Sequence, residues 1–379
     1  MLLDYLFTDE PEAAGEFSLV RVSRRAMATA FEVAIPAGTH PDALGAAEDA
    51  LDFIDALEDQ MTVYRDHSEV SRLNASASEA FVEVEPKLFD LFARCAVWTK
   101  ETGGAFDIAT GALTTVWGFM RREPRVPAPR VLVEAMRRTG FRHVVLNAET
   151  RALKFRVAGL ELNLGAVGKG YALDRAAELL RTKWGVRSAL LHAGGSSVYA
   201  IGKPPGDSRG WPIRLKHPTN PDESLGVVRL RDAGLGTSAA TFQFFEYNGQ
   251  KLGHLLDPRT GWPARGTASA SVVAPTAAEA DAMSTAAFVL GAAGAESLTR
   301  LRPALGAVVL GEVLPSPLAG EGGESSSRVR GETLADRRRH PSPVGEAPPP
   351  SPARGEGQDQ ALSAFNLAPD VYSPPAHAD

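Results

Sequence analysis

The stretch Glu279–Gly291, EADAMSTAAFVLG, sets the reading of this 379-residue chain. Its small and apolar residues are spaced as on a helix that enters a core. Thr276 with Glu279 three residues on forms a capping box, so the first turn begins at Thr276. Gly291 is the expected stop. Asp281 then falls in the second turn, too deep to be the cap. It shares a face with Thr285 at i, i+4, and Ser284 stands beside them. A lone carboxylate on a buried face is costly unless it is paired or bound to a metal. Carboxylate and hydroxyl oxygens are hard donors that suit Mg²⁺ or Ca²⁺ rather than zinc. A solvated helix edge explains the same letters, and the motif alone leaves both readings open.

Upstream, FSLVRVS and TAFEVAIP read as two strands joined around Arg24–Ala28. HPDALGAAEDALDFIDALEDQM sets Leu44, Ala47, Leu51, Ile54 and Leu57 at helical spacing. TVYRDHSEVSRLNAS is polar and reads as a surface loop. EPKLFDLFARCAVWTKETGG is a second helix, stopped by Gly103-Gly104. RHVVLNAETRALKFR and AGLELNL alternate as strands, and GAVGKGYALDRAAELL is a glycine-rich turn feeding a helix. Further strands follow, among them FQFFEYNGQKLGHLLD with the hairpin signal Asn248-Gly249. Strand runs with a few long helices give an α+β fold rather than regular βαβ alternation.

Between Leu314 and Gln360 the chain turns to Pro, Gly, Ser, Glu and Arg, with PSP recurring. Such a segment has too little apolar surface to offset its ordering entropy. It reads as a disordered insertion between two strands of a final hairpin, GAVVLGEV and ALSAFNLA, the alternative being a plain disordered tail that ends in a chance apolar patch. The expected organisation is an extension over 1–16, a domain over 17–313 completed by 361–370, the insertion over 314–360, and a tail over 371–379.

The composition is that of an ordinary globular chain, 44% hydrophobic and 23% charged. A net charge of −6 gives no reason to expect nucleic acid or an anionic membrane as partner. The single cysteine, Cys95, makes neither an internal disulfide nor a cysteine zinc site, and its apolar surroundings read as core. No apolar run is long enough for a transmembrane segment, and no leader pattern or lipobox is seen at the start. The cytoplasm is the expected compartment, with the periplasmic face of a membrane the alternative if the start is mis-assigned.

Other pieces bear chemistry. Gly165, Gly168 and Gly170 precede a helix N-terminus, an arrangement that can hold phosphate, with Lys169 adding charge. A tight strand-to-helix turn is the plain alternative. HAGGSS, His192–Ser197, is a second glycine pair. In HLLDPRTGWP the turn chemistry explains Asp257–Gly261 but not His254, which has the residue type of a general base, although from this piece alone a structural histidine is the commoner case. Asp107 in GGAFDIATGAL reads as an acid holding local amides.

Taken in order, AMATAF, MTVYRDHSEVSRLN, GGAFDIATGAL with WGF, LNLGAVGKGYALD, HAGGSS, TSAA, GHLLDPRTGWP and ADAMST resemble the ApbE family of FAD:protein FMN transferases. The resemblance runs from about Arg24 to Gly291. It implies a T-fold-related fold of mixed and antiparallel sheets packed with helices, with FAD in a cleft between two lobes. It implies transfer of FMN from FAD to a Thr or Ser hydroxyl of a target flavoprotein, with Mg²⁺ as cofactor and AMP released. Asp281 and Thr285, with the Ala166 carbonyl, match the family's metal ligands; Ser284 stands where some members carry a further acid. Met27, Tyr64, Ala105, Phe106, Asp107, Asn163, Lys169, His254 and Leu255 match the flavin-binding surround. His254 is the candidate base, and Asp107 would meet the adenine or ribose end. An FAD pyrophosphatase and a non-catalytic flavin carrier are the alternatives. Departures include Ala28 for the usual Gly of MGT, Asn163 for an Asp, HAGGSS for Asn-x-Gly-Gly-Asp, and Ala239 for the Gly of TSG.

Overall fold

A computed structural model describes residues 17–220, 222–239, 244–248, 250–312 and 361–375. The expected extension over 1–16 and insertion over 314–360 lie outside these residues.

The fold is α+β and is built on one eight-stranded sheet. Its strands in spatial order are β1 (Leu19–Ala26), β2 (Thr29–Pro36), β6 (Ala189–Ala193), β7 (Ser197–Ile201), β10 (Ala233–Ala239), β13 (Thr267–Ala274), β14 (Gly306–Gly311) and β15 (Leu362–Phe365). Every neighbouring pair is antiparallel. Alternation along the strands divides their side chains between two cores. Phe31, Val33 and Ile35 of β2 and Leu191 of β6 face the main core, against helices α1 (Ala43–Met61), α3 (Pro86–Glu101), α6 (Gly168–Thr182) and α7 (Ala277–Leu301). Ala34 of β2, Leu190 of β6 and Val198 of β7 face a second core. A three-stranded sheet covers that one, in the order β16 (Tyr372–Ser373), β9 (Ser224–Leu230) and β8 (Trp211–Lys216). Burial on both faces explains why β6 and β7 have no exposed residue.

Two smaller sheets complete the β structure. One is β3 (Val82–Glu83), β5 (Ala152–Phe155) and β4 (Val144–Asn147); the other is the hairpin β11 (Phe244–Tyr247) and β12 (Gln250–Gly253). Tyr247 pairs with Gln250 across Asn248, which takes φ +50°, at the anticipated hairpin turn. A third core joins α4 (Gly111–Val116) to α5 (Pro129–Arg137) through Leu113, Leu132 and Ala135.

Several local readings change. TVYRDHSEVSRLNAS is not all loop: α2 spans Glu69–Ser76, its first turn capped by the Ser68 hydroxyl accepting from Ser71 N–H. Val70 and Leu73 alone bury it, too short a stripe for periodicity to show. Ala158–Leu164 forms no strand; its chain is instead pinned by Asn74, whose side chain bonds both N–H and C=O of Leu162. Leu44 falls outside the buried stripe of α1 and is 54% exposed; Ala43, Ala46 and Ala50 take the core side. The start of the expected tail joins the fold: Tyr372 and Ser373 pair with β9, and the Tyr372 hydroxyl donates to Leu225 O at 2.7 Å. Cys95 is fully buried, and burial pushes its thiol pKa up.

Candidate active site

The helix of Glu279–Gly291 begins as its sequence indicates and ends otherwise. Thr276 caps it, its hydroxyl accepting from Glu279 N–H at 3.2 Å. The reciprocal half of the capping box is absent, because Glu279 instead binds Arg302 at 2.8 Å. Gly291, at φ +71° and ψ −172°, breaks the helical path, but the chain resumes its helix and runs on to Leu301. Small residues at 292–295 and apolar Leu298 allow a second helical piece to pack, so glycine marks a kink and not an end.

Asp281 is 6% exposed, which decides against the solvated-edge reading. Its carboxylate is gripped from two elements. Ser197 Oγ of β7 donates to Oδ1 at 2.7 Å, and Gly170 N–H of α6 donates to Oδ2 at 2.8 Å. Burial raises the pKa, while the charge of nearby Lys169 and these two bonds oppose the rise. One turn on, the Ser284 and Thr285 hydroxyls both donate to Asp281 O, at 2.9 and 3.1 Å. Ser238 Oγ of β10 lies 3.0 Å from Ser284 Oγ and 3.3 Å from Thr285 Oγ1.

Missing side chains let these backbones approach. A Cβ on Gly170 would lie 2.2 Å from Ala277 O; one on Gly236 would lie 2.5 Å from the Ala280 backbone. Asp174 of α6 fastens the same junction. Its two oxygens accept from Ala277 and Ala278 N–H at 2.7 and 2.9 Å. Burial lifts its pKa to about 7, against the pull of those amides.

This corrects the phosphate reading of the glycine turn. Gly165 N–H donates to Asn163 Oδ1, Gly168 N–H to Leu164 O, and Gly170 N–H to Asp281. The three amides serve the turn and the carboxylate. Because Gly170 N–H goes to Asp281, the Ala166 carbonyl one turn back is left open.

The remaining expected residues occupy several places. Tyr64 and Asn163 meet on Met120: the Tyr64 hydroxyl is 3.9 Å and Asn163 Nδ2 3.3 Å from its sulfur. Tyr64 is 72% exposed and forms an open aromatic surface. Met27, Ala166 and Leu255 are half-buried at the margin of the main core. Ala105 and Phe106 lie inside that core, with Phe106 edge-on to Trp98. Asp107 accepts from Ala109 N–H at 2.7 Å and Phe141 N–H at 2.8 Å, so both its oxygens hold backbone, and burial raises its pKa. His254 is half-buried and follows the last residue of β12, just before the turn in which Arg259 clamps Asp257 through two bonds of 2.8 Å. His192 is fully buried on the second-core side of β6, facing Glu32 at 3.8 Å, apart from the Asp281 cluster.

Ser197, Ser238 and Asp174 are the site residues that sequence reasoning did not single out. A period-2 signal was available for one of them. Gly234, Gly236 and Ser238 alternate along β10, two absent side chains and a hydroxyl on a single strand face.

The donors around Asp281 fit a small divalent cation. They are one carboxylate with a lone pair left on each oxygen and the hydroxyls of Ser284 and Thr285, whose protons point to Asp281 O; the Ala166 carbonyl lies one turn before Gly170, whose N–H bonds that carboxylate. All are hard oxygen. No group of three or more His, Cys, Asp or Glu positioned to hold a metal occurs among the described residues.

Both the sequence and the fold have relatives among known proteins. The FAD:protein FMN transferase of Treponema pallidum is 34% identical over 279 residues, which cover 70% of this chain and 76% of that one. That of Salmonella typhimurium is 31% identical over 257 residues, 65% of this chain and 71% of the relative. The crystal structure of the ApbE protein of Thermotoga maritima superposes with a TM-score of 0.70 at 27% identity, covering 78% of this chain and 94% of that chain. The apo flavinyl transferase ApbE of Pseudomonas stutzeri gives 0.69 at 26% identity, with 79% and 93% covered. The ApbE family model matches residues 27–309, a span that holds Met27, the Gly170 turn, His254 and the whole Asp281 cluster, and the chain belongs to the ApbE family.

Proposed function

We propose that this chain transfers the FMN half of FAD to a threonine or serine hydroxyl of a protein acceptor and releases AMP, with Mg²⁺ held at Asp281. The observation that carries the reading is the buried Asp281 carboxylate, without a salt-bridge partner among the described residues, held by Ser197 Oγ and followed one turn on by the Ser284 and Thr285 hydroxyls on its main-chain oxygen. The names of the relatives support the FAD and FMN chemistry. Asp281, Thr285, Ser284 and the Ala166 carbonyl would hold the ion. When bound, Mg²⁺ neutralises pyrophosphate charge and favours departure of AMP.

The chain's own groups then have the following parts. Lys169, close enough to Asp281 to influence its titration, places a positive charge beside the phosphates. Tyr64, Met120 and Asn163 offer a soft, flat surface for a ring system. A ring nitrogen of His254 takes the proton of the incoming hydroxyl. The hydroxyl oxygen bonds to the FMN phosphorus, the bond from that phosphorus to the AMP oxygen breaks, and AMP leaves.

The test is incubation with FAD and Mg²⁺, with and without a candidate acceptor, followed by mass spectrometry. An acceptor gaining FMN supports the reading; FMN and AMP formed at the same rate whether or not acceptor is present points to hydrolysis. Asp281→Asn should abolish Mg²⁺-dependent turnover without lowering the melting temperature, since it removes a desolvated charge. Undiminished turnover in that variant refutes the ion assignment.

A further inference from the structure

The proposed ion site is built from one helical turn of α7 and the Ala166 carbonyl before α6, but the geometry points to a further wall: we propose that Ser238 of β10 is an additional oxygen ligand of the cation. This rests on the Mg²⁺ reading above. It also assigns the residue that closes the site from the sheet side.

Three positions on β10 mark how it lies against α7. Hypothetical Cβ atoms on Gly234 and Gly236 meet Ala277 Cα and Ala280 C, both at 2.5 Å. Ser238 Oγ meets Ser284 Oγ and Thr285 Oγ1. Each step of two strand residues, about 6.8 Å, accompanies a step of three or four helix residues, about 5–6 Å. Strand and helix therefore run alongside one another, and Ser238 is the first residue of this face with a side chain to offer. The first two contacts require glycine so that α7 comes close; the third uses that closeness to bring hydroxyls together.

Proton positions leave the oxygens available. Ser284 and Thr285 each have one hydroxyl proton, and both protons go to Asp281 O. In the contact at 3.0 Å Ser238 is then the donor and Ser284 Oγ the acceptor. Ser238 keeps two lone pairs and Thr285 keeps its own. The spacing also suits a shared ion. In an octahedron with metal–oxygen bonds of about 2.1 Å, adjacent ligands are about 3 Å apart. Ser238 stands 3.0 and 3.3 Å from the two α7 hydroxyls. A serine whose purpose was to hold the strand to the helix would need one hydrogen bond; this one stands at ligand-edge distance from two hydroxyls.

The experiment uses the full chain with saturating FAD and titrates Mn²⁺, a spectroscopic stand-in for Mg²⁺, by loss of the free-ion electron paramagnetic resonance signal. Mg²⁺ competition is the second arm. Ser238→Ala should weaken Mn²⁺ and Mg²⁺ binding by about ten- to a hundredfold, the range seen when support of a metal site is removed. FAD binding without added cation should be unchanged, and Ser238→Thr should restore cation affinity. Equal affinity in wild type and Ser238→Ala overturns the assignment while leaving the Asp281 site intact. So does a Ser238→Ala protein whose melting temperature falls without cation and whose affinity Ser238→Thr does not restore, since Ser238 is then structural. Absence of any bound Mn²⁺ in the wild type overturns the ion site itself, and this inference with it.

Discussion

Gly170→Ala separates this structure from helix propensity most sharply. Gly170 is the third residue of α6, and alanine there should stabilise an isolated helix by about 1 kcal/mol. The packing demands the opposite sign. The new methyl carbon would lie 2.2 Å from Ala277 O, 2.4 Å from its carbonyl carbon and 2.6 Å from Ala278 N. All three are backbone atoms at the start of α7, so no rotamer change relieves them. Reaching an ordinary contact of 3.4 Å needs a shift of about 1.2 Å between the helices. A shift of that size stretches the 2.8 Å bond from Gly170 N–H to Asp281 Oδ2 beyond hydrogen-bond range. Overpacking costs about 1–3 kcal/mol and loss of a bond to a charged group about 1.5–3 kcal/mol. Set against the propensity gain, the net is a destabilisation of about 1.5–5 kcal/mol. Urea unfolding followed by circular dichroism measures it as a lower midpoint at unchanged slope. Mg²⁺ should also raise the variant's melting temperature less than that of the wild type, because the carboxylate has lost one of its two anchors. A midpoint equal to or above wild type would refute the reasoning: α7 would then not rest on α6 at backbone contact, and Asp281 would not depend on that amide.

Two further outcomes are expected. Met27 and Ala28 form the two-residue turn between β1 and β2 with φ of +48° and +61°, values that cost an L-residue roughly 1–2 kcal/mol. Ala28→Gly removes that strain and loses part of the gain to unfolded-chain entropy, so the urea midpoint should rise by the equivalent of about 0.5–1 kcal/mol; a fall would show the turn to be unstrained. Asp174 has its folded pKa raised to about 7, chiefly by burial. The folded state then binds more protons than the unfolded one between about pH 4 and pH 7, so this group's contribution to stability is present at the acid end and is lost as pH rises to 7. Asp174→Asn should flatten the decline of the urea midpoint over that window; an unchanged pH profile in the variant would rule Asp174 out as its source.

What was legible in the sequence follows from how far each signal reaches along the chain. The strands of the main sheet and the long helices carry their apolar period within ten to twenty residues, and β1, β2, α1 and α3 are visible for that reason. α2 buries only Val70 and Leu73 and is set by its Ser68 cap and by Asn74 pinning Leu162, a contact between segments 88 residues apart. Asp281 stood out because an acid among alanines is costly to bury. Its supports did not, because Ser197 lies 84 residues away and Gly170 lies 111. The glycines at 165–170 carried a true signal of close backbone approach. What Gly170 approaches is helix α7, while Gly165 and Gly168 meet only their own turn, and a sequence motif names closeness without naming its object.

The Asp281 carboxylate brings these observations to one physical point. The two supports that hold it, Ser197 Oγ and Gly170 N–H, come from a strand and a helix packed in the core. Such a group cannot turn toward water to recover its hydration. Two hydrogen bonds and the charge of nearby Lys169 soften the cost of its charge, and its pKa still rises. On the proposed reading the carboxylate is held ready for a cation, and the hydroxyls beside it turn their protons to Asp281 O. A residue kept only for stability would be better replaced by a leucine or methionine filling the same volume. The arrangement is coherent if the missing positive charge arrives with the substrate: Mg²⁺ is usually held by one or two carboxylates together with phosphate oxygens. On that view, the glycines that thin α6 and β10 and the serines that line them serve one purpose, to make a rigid half-shell that an ion and a pyrophosphate complete.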